Sequence, residues 1–263
     1  MVLAFPERIV AHMIYRKLLN SVMNRVSRHA VGRHALVEAA LRCLPEVTYS
    51  RLRTQGFRPG GIIDIGAHEG HWTKQIKGVF PEPPVLMIEA RREQEPVLQQ
   101  VCVSLPGVSY AIALLGQESK EAVSFHVSGT GSSIFAERSD ADRTLCSLPM
   151  QTLDDVVAGA EGLLAPLFLK LDVQGAELEC LRGAPAVFDK TEVLQLEVAL
   201  LNYNESAPLV AEVIAFMAQK RFLMFDIAGF VRPNGRDLVQ IDVIFVKKDS
   251  KLRRDFFRFN SGE

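Results

Sequence analysis

The chain has 263 residues, of which 48% are apolar and 23% are charged, and its formal net charge is −1. This length and composition predict a globular protein with one large α/β domain and an extension. A net charge close to zero gives no electrostatic basis for binding nucleic acid, and no stretch reaches the ~18 uninterrupted apolar residues of a transmembrane span.

The first 58 residues differ in charge from the rest. They carry ten Lys/Arg against three Asp/Glu, whereas the remaining residues carry twenty against twenty-eight. Apolar residues recur near helical spacing between positions 7 and 44, which predicts two helices broken near Gly32. We therefore expect a helical extension over residues 1–58 and a second domain over residues 59–263. The basic helices have three open roles: packing on that domain, contact in a dimer and peripheral contact with a membrane.

The cysteines give the expected compartment. They are far apart and form no C-x-x-C pair: Cys43, Cys102, Cys146 and Cys180. Scattered thiols without a secretory signal are typical of a reducing environment, so we predict a cytoplasmic protein.

From residue 59 onward, predicted strands alternate with predicted helices. The strands are expected at residues 62–65, 85–89, 108–115, 167–173 and 193–200. The helices are expected at residues 72–80, 94–104, 176–182 and 208–220. This rhythm predicts parallel strands joined by right-handed crossovers. Two further strands, Phe222–Ile227 and Val239–Val246, are too close in sequence for a crossover helix, so we expect them to pair antiparallel.

Residues 118–155 interrupt the alternation. Ala122–Ser128 alternates like an exposed strand, the polar turn 129–133 follows, and Met150–Leu153 has a short extended pattern. We expect an inserted hairpin or flap that helps to shape an acceptor pocket.

The segment Gly61–Gly70 reads GIIDIGAHEG, a buried strand followed by a Gly-x-x-x-Gly turn. Gly66 and Gly70 are expected to let the backbone approach a ligand closely, because glycine has no Cβ. Glu89 ends the next predicted strand, at the position where a carboxylate usually binds the ribose of a nucleoside. The turn and the acid together predict a nucleoside-containing cofactor without specifying which.

Four acidic residues are expected at carboxyl ends of strands, where open parallel sheets bind ligands: Asp64, Glu89, Asp172 and Glu197. Asp172 lies in the motif LKLDVQGAEL and is placed to orient a substrate or accept its proton. For Asp64, contact with the turn amides or a cationic ligand group competes with simple loop capping. Glu177 either contributes to the site or only favours a helix N-terminus. His68 and His71 lack metal-ligand spacing, so no metal site is predicted.

In this order the motifs resemble the FkbM family of S-adenosylmethionine-dependent methyltransferases. The likeness covers about residues 60–247 and rests on four elements: residues 63–70, Glu89, residues 148–154 and residues 169–177. It implies a class I methyltransferase (Rossmann-like) fold, a seven-stranded, mostly parallel sheet with an antiparallel last strand. It also implies S-adenosyl-L-methionine as cofactor and O-methylation of a hydroxyl on a sugar, glycolipid or polyketide-like metabolite. The chain departs from the family pattern at His68, where Asn is common, and at Gln174, where Glu is usual.

The resemblance also implies site residues. Contacts to the cofactor are expected from Asp64, Gly66, Ala67, His68, Gly70, Glu89 and Ala90. Because the methyl group of a sulfonium is already electrophilic, the protein must chiefly align the hydroxyl and take its proton. Asp172 is the first candidate for this role and His68 the second.

Two other classes of function remain open at this point. A nicotinamide-dependent oxidoreductase would also bind a ribose through an acid, but the turn lacks the G-x-G-x-x-G spacing. A non-catalytic scaffold would keep the fold and use its basic N-terminal helices to bind a membrane or a partner. Homo-oligomerisation is compatible with each of these functions.

Overall fold

The computed structural model of the protein describes residues 44–128, 131–136, 144–254 and 256. The chain separates into two units, Met1–Leu44 and Pro45–Glu263, and the second is the subject below. The two helices predicted between residues 7 and 44 lie outside the described residues. The domain boundary predicted at residue 58 stays a prediction.

Strands and helices are numbered here from the first described element. The strands are β1 (Gly61–Ile65), β2 (Val85–Glu89), β3 (Val108–Ile112), β4 (Leu114–Leu115), β5 (Lys120–Val127), β6 (Thr144–Gln151), β7 (Leu167–Leu171), β8 (Thr191–Ala199), β9 (Phe222–Val231) and β10 (Gln240–Lys247). The α-helices are α1 (Leu44–Thr54), α2 (His71–Val79), α3 (Glu95–Ser104), α4 (Leu153–Ala158), α5 (Glu177–Arg182), α6 (Pro185–Lys190) and α7 (Val210–Gln219). Among the described helices, none combines the length and apolarity needed to cross a membrane.

Seven strands form the main sheet, in the order β3-β2-β1-β7-β8-β10-β9. Every neighbouring pair from β3 to β8 is parallel, whereas β10 runs antiparallel to both β8 and β9. The predicted fold class is therefore confirmed, including the antiparallel last strand. The predicted pairing of the last two strands as a hairpin is confirmed as well.

The central strands are apolar because both faces of the sheet are covered. β1, β2 and β7 are buried along their whole length, as expected for parallel strands between two layers of helices. Side chains alternate between the faces: Ile63 and Ile65 pack in one core cluster, while Ile62 packs in another with Tyr49 of α1 and Phe168 of β7. The central strands thus form the buried centre of the main sheet.

A second sheet has the order β4-β6-β5. Its strands β5 and β6 come from the segment predicted as an insertion, and β4 comes from the end of the strand predicted at residues 108–115. The single strand predicted at residues 108–115 is wrong, because the chain changes sheets at Ala113. The Ala113 amide still donates to the Glu89 carbonyl oxygen (2.9 Å), but Leu114 pairs with Met150 of β6. The two parts of the predicted strand therefore belong to different sheets.

The extended piece predicted at Met150–Leu153 is wrong in its limits. β6 begins at Thr144 and pairs antiparallel with β5, and Thr152 is the N-cap residue of α4, accepting a hydrogen bond from the Asp155 amide. Thr152 therefore ends the strand by starting a helix, which is a common role for a threonine.

Candidate functional site

A cleft of about 690 Å³ opens at the carboxyl ends of β1, β2 and β7. Loops after these strands form its floor. Phe125 and Ser133 line it from the second sheet and its connection, and Val231 and Gln240 line it from β9 and β10. Its volume is typical of small-molecule sites.

The structure brings most of the predicted site residues together in this cleft. The predicted residues that line it are Gly66, Ala67, His68, Glu89, Ala90 and Asp172, and Glu197 lines it as well. Asp64 and Gly70 do not line it.

The Glu89 carboxylate is fixed at the end of β2. One oxygen, Oε2, accepts from the His68 amide (2.8 Å), and Oε1 accepts from the Arg91 amide (3.0 Å) and lies 3.4 Å from Arg91 Nε. Glu89 is 7% exposed. Each carboxylate oxygen has two lone pairs. Oε1 already has two donors, the amide and Nε of Arg91, so Oε2 is the oxygen that retains capacity to accept a hydrogen bond from a ligand in the cleft.

Gly66 and Gly70 both have left-handed backbones, with φ of 75° and 69°. A Cβ added to Gly66 would lie 1.9 Å from the carbonyl oxygen of Asp172, and one added to Gly70 would lie 3.0 Å from a methyl carbon of Val101. Packing inside the protein therefore requires glycine at both positions, because the turn lies close to the end of β7 and to α3. Close approach to a ligand stays a prediction.

Asp64 turns away from the cleft. It is fully buried, its Oδ2 accepts from the Thr73 hydroxyl (2.7 Å), and its Oδ1 lies 3.2 Å from Lys170 Nζ. These contacts join β1 to α2 and β7. These contacts explain why an acid lies at position 64. Asp64 makes neither the contact with the turn amides nor the loop cap that the sequence predicted, and no ligand is needed to explain it.

Lys170 is a buried residue to which the sequence analysis gave no role. Its Nζ lies 3.4 Å from Asp172 Oδ2 and donates to the Gly66 carbonyl (3.3 Å). Burial alone would lower the pKa of Lys170, but Asp64 and Asp172 outweigh it and raise the pKa. A lysine inside the apolar strand Leu167–Leu171 was the available signal, because a buried ammonium requires anionic partners.

Asp172 presents a carboxylate to the cleft, with 35% of its side chain exposed. Its Oδ1 accepts from Gln174 Nε2 (3.0 Å). Burial by itself would raise the pKa of Asp172, yet the Lys170 ammonium and the hydrogen bonds it receives bring the pKa below its ordinary value. Asp172 is therefore ionised at neutral pH and acts as a hydrogen-bond acceptor.

His68 contributes its backbone amide to Glu89, and its residue lines the cleft beside Trp72. The indole of Trp72 donates to the Tyr49 hydroxyl (2.8 Å), which joins α1 to the cleft wall. The sequence did not identify Trp72 as a site residue, because a single aromatic residue in a predicted helix usually belongs to the core. Within the described part of the chain, His68 and His71 belong to no cluster of three metal-ligating side chains.

Glu177 closes the turn between β7 and α5. Its Oε1 accepts from the amides of Val173 (3.0 Å) and Gly175 (3.2 Å), and the residue is 2% exposed. Burial raises the pKa of Glu177 to about 7 even though these bonds lower it. Its observed contacts are therefore structural, since they hold the loop that carries Asp172.

Comparison with known protein families gives a match for this chain. The model of the methyltransferase FkbM domain matches residues 64–224. No curated protein matches the chain significantly.

Several solved structures are similar to this chain. A methyltransferase FkbM from Methylobacillus flagellatus has 19% identity and a TM-score of 0.46; the match covers 74% of this chain, which spans 47% of that protein. A 1,6-didemethyltoxoflavin-N1-methyltransferase from Burkholderia thailandensis, with bound 1,6-didemethyltoxoflavin and S-adenosylhomocysteine, has 16% identity, coverage of 95% and 93%, and a TM-score of 0.43. A precorrin-6y C5,15-methyltransferase from Geobacter metallireducens has 12% identity, coverage of 77% and 86%, and a TM-score of 0.44.

Proposed function

The chain belongs to the methyltransferase FkbM family, and from this premise we propose that it transfers a methyl group from S-adenosylmethionine to a hydroxyl of a sugar, glycolipid or polyketide-like metabolite. One observation carries the proposal. The cleft at the carboxyl ends of the parallel strands holds two preoriented carboxylates, Glu89 at the end of β2 and Asp172 directly after β7. Glu89 suits the ribose of the cofactor, and Asp172 suits the hydroxyl of an acceptor.

The residues around Glu89 fit the cofactor. Oε2 of Glu89 has one donor among the described residues, the His68 amide, and so keeps a lone pair for a ribose hydroxyl. Gly66, Ala67, His68 and Ala90 line the cleft beside this carboxylate. Among the predicted cofactor contacts, Asp64 and Gly70 do not line the cleft. Asp64 joins β1 to α2 and β7, and Gly70 packs the turn against α3.

When bound, the cofactor supplies an electrophilic methyl group. The chain's own residues must then orient the acceptor hydroxyl and receive its proton. Asp172 is anionic and faces the cleft, so it accepts a hydrogen bond from the hydroxyl and takes its proton as the oxygen attacks. His68, whose residue lies in the same cleft, is the second candidate base.

The lining of the cleft supports a polar acceptor with apolar faces. Trp72 and Phe125 provide aromatic surface, and Gln174 and Gln240 provide amides. Such a mixture binds the ring faces and hydroxyl groups of a polyhydroxylated molecule. We place the reaction in the cytoplasm, because the described cysteines are free thiols and this state suits a reducing compartment.

Calorimetry tests the cofactor assignment. S-adenosylhomocysteine is expected to bind the protein, and Glu89→Ala is expected to weaken binding roughly 10- to 100-fold, the value of a hydrogen bond to a charged group. Glu118→Ala is the matched control, because Glu118 is an exposed acid paired with Lys120. Absence of binding by both S-adenosylmethionine and S-adenosylhomocysteine contradicts the proposal.

A labelled methyl donor tests the reaction itself. Incubation with a panel of hydroxylated metabolites is expected to yield a methyl ether of one of them. A product labelled on nitrogen or carbon instead contradicts O-methylation while leaving methyl transfer intact.

A further inference from the structure

Gln174 joins two carboxyl groups that belong to different strands. Its Nε2 donates to Asp172 Oδ1 (3.0 Å) and to Glu197 Oε2 (2.6 Å). A planar amide nitrogen carries two hydrogens, so one group serves both acids.

The backbone of Gln174 is held firmly in place. Its φ is +54°, and its carbonyl oxygen accepts from the Ser133 hydroxyl (2.9 Å) and from Asn204 Nδ2 (2.8 Å). Ser133 and Asn204 are 1% and 3% exposed. A left-handed conformation is uncommon for a non-glycine residue and needs such support. The bridging amide is therefore preorganised.

The two acids share one hydrogen-bond donor and are therefore close neighbours. Two negative charges this close disfavour each other's ionisation. The arrangement therefore favours one proton and one negative charge on the pair.

The surrounding charges decide which acid carries the proton. Lys170 Nζ lies 3.4 Å from Asp172 Oδ2, which favours a negative charge there. Within the described residues, no cation forms an ion pair with Glu197, and the groups that face it are the acids Asp172, Glu177 and Asp242 and the phenol of Tyr203.

The pKa directions agree with this placement. Burial, followed by repulsion from Asp172, Glu177 and Asp242, raises the pKa of Glu197 well above its ordinary value. The pKa of Asp172 is lowered, as described above.

We propose that Glu197 is a positioning residue: a protonated carboxyl that, together with the Gln174 amide, donates to Asp172 and keeps that carboxylate anionic and aimed at the cleft. Its catalytic part rests on the proposed methyl transfer. The one-proton pair itself is a property of the unliganded protein. In this chain a neutral amide at position 174 is essential to the arrangement, because a glutamate there would add a third acid.

Carbon-13 NMR titration of labelled Asp and Glu carboxyls tests the pair without cofactor or acceptor. Glu197→Gln and Asp172→Asn assign the two signals. Glu197 is expected to stay protonated at pH 7 while Asp172 is ionised. In Gln174→Glu the pair is expected to hold its proton to higher pH, since a like charge disfavours ionisation. An ionised Glu197 at pH 7 in the wild type overturns the proposal.

Kinetics test the positioning role. Glu197→Ala is expected to lower kcat at least tenfold below the pH at which Glu197 ionises in the wild type, because the donor is lost. Glu197→Gln keeps a neutral donor, so it is expected to restore most of this loss and to abolish the alkaline limb of the pH profile, which arises when Glu197 ionises. Glu192→Gln, on the same strand, is the control.

The outcomes separate the two proposals. If Glu197→Gln is as impaired as Glu197→Ala, Glu197 acts through its own proton or charge and the positioning role is wrong. If S-adenosylhomocysteine does not bind, the proposed function fails, and the NMR titration still decides the state of the pair.

Discussion

Asp64 and Lys170 lie opposite each other in register on the parallel strands β1 and β7, with Asp64 Oδ1 and Lys170 Nζ 3.2 Å apart. Both side chains are almost completely buried, at 0% and 6% exposure. Lys170 also reaches Asp172. A buried ion pair in the sheet is thus continuous with the carboxylate that faces the cleft, so stability and site electrostatics depend on the same ammonium.

Replacement of this ammonium should be costly. Lys170→Met leaves Asp64 buried without a cation, and breaking such a pair typically costs about 3–5 kcal/mol. We expect urea denaturation to show a loss of this size in the free energy of unfolding. Lys120→Met, which removes an exposed partner of Glu118, should change the free energy by less than ~1 kcal/mol.

The double variant Asp64→Asn with Lys170→Met is expected to recover part of the loss, because the asparagine is neutral and keeps an acceptor for Thr73. If the single and double variants are equally unstable, packing of the lysine stem outweighs its charge.

Gly66→Ala tests the close packing of the glycine turn against β7. A Cβ at Gly66 would meet a backbone carbonyl oxygen at 1.9 Å, whereas Gly235 has a similar φ of 71° and no atom within 4 Å of its added Cβ. Gly235→Ala should therefore cost only about 1 kcal/mol of backbone strain. Gly66→Ala should cost about 1–3 kcal/mol more, because the strand end must move. Equal losses in thermal denaturation of the two variants would contradict the packing role.

Glu177 should make stability depend on pH. Its pKa is raised to about 7 in the folded protein, against about 4.3 in the unfolded chain. The stabilisation from this protonated acid is fully present below pH ~4.3. It is lost as the pH rises to about 7.

Glu177→Gln keeps an acceptor for the two turn amides and cannot ionise. We expect the unfolding free energy of the wild type, relative to this variant, to fall by roughly 3 kcal/mol between pH 4 and pH 8. The difference cancels the titration of groups that do not interact with Glu177. A difference that stays constant across this range would show that ionisation of Glu177 does not destabilise the folded protein.

The sheet was predictable because its strands carry local signals. The run Val85–Glu89 is apolar until its last residue, and the structure gives it those same limits. Near residue 113 the signal fails, because the residues on both sides are equally suited to a strand and only tertiary pairing decides which sheet they join. Thr152 and Pro185 mark the starts of two short helices. These start signals are weak, and the extended patterns beside them hid the helices in the sequence.

The candidate site was predictable in position but not in its connections. Asp172 and Glu89 follow buried strands, so topology alone places them at one edge of the sheet. The bond from Gln174 to Glu197 spans 23 residues of sequence, and no local pattern encodes it. Asp64 was misjudged for the same reason, since its partner Lys170 lies 106 positions later and becomes a neighbour only when β1 pairs with β7.

Trp72 offers a direct test of where the ligand binds. It is the single tryptophan of the chain and lines the cleft, so its fluorescence reports on this site alone. Titration with S-adenosylhomocysteine is expected to change the emission saturably, with the same Kd as calorimetry. Trp72→Phe should abolish the signal while calorimetry still detects binding, since the phenylalanine loses only the bond to Tyr49. Calorimetric binding by the wild type without any change in its emission would place the ligand outside this cleft.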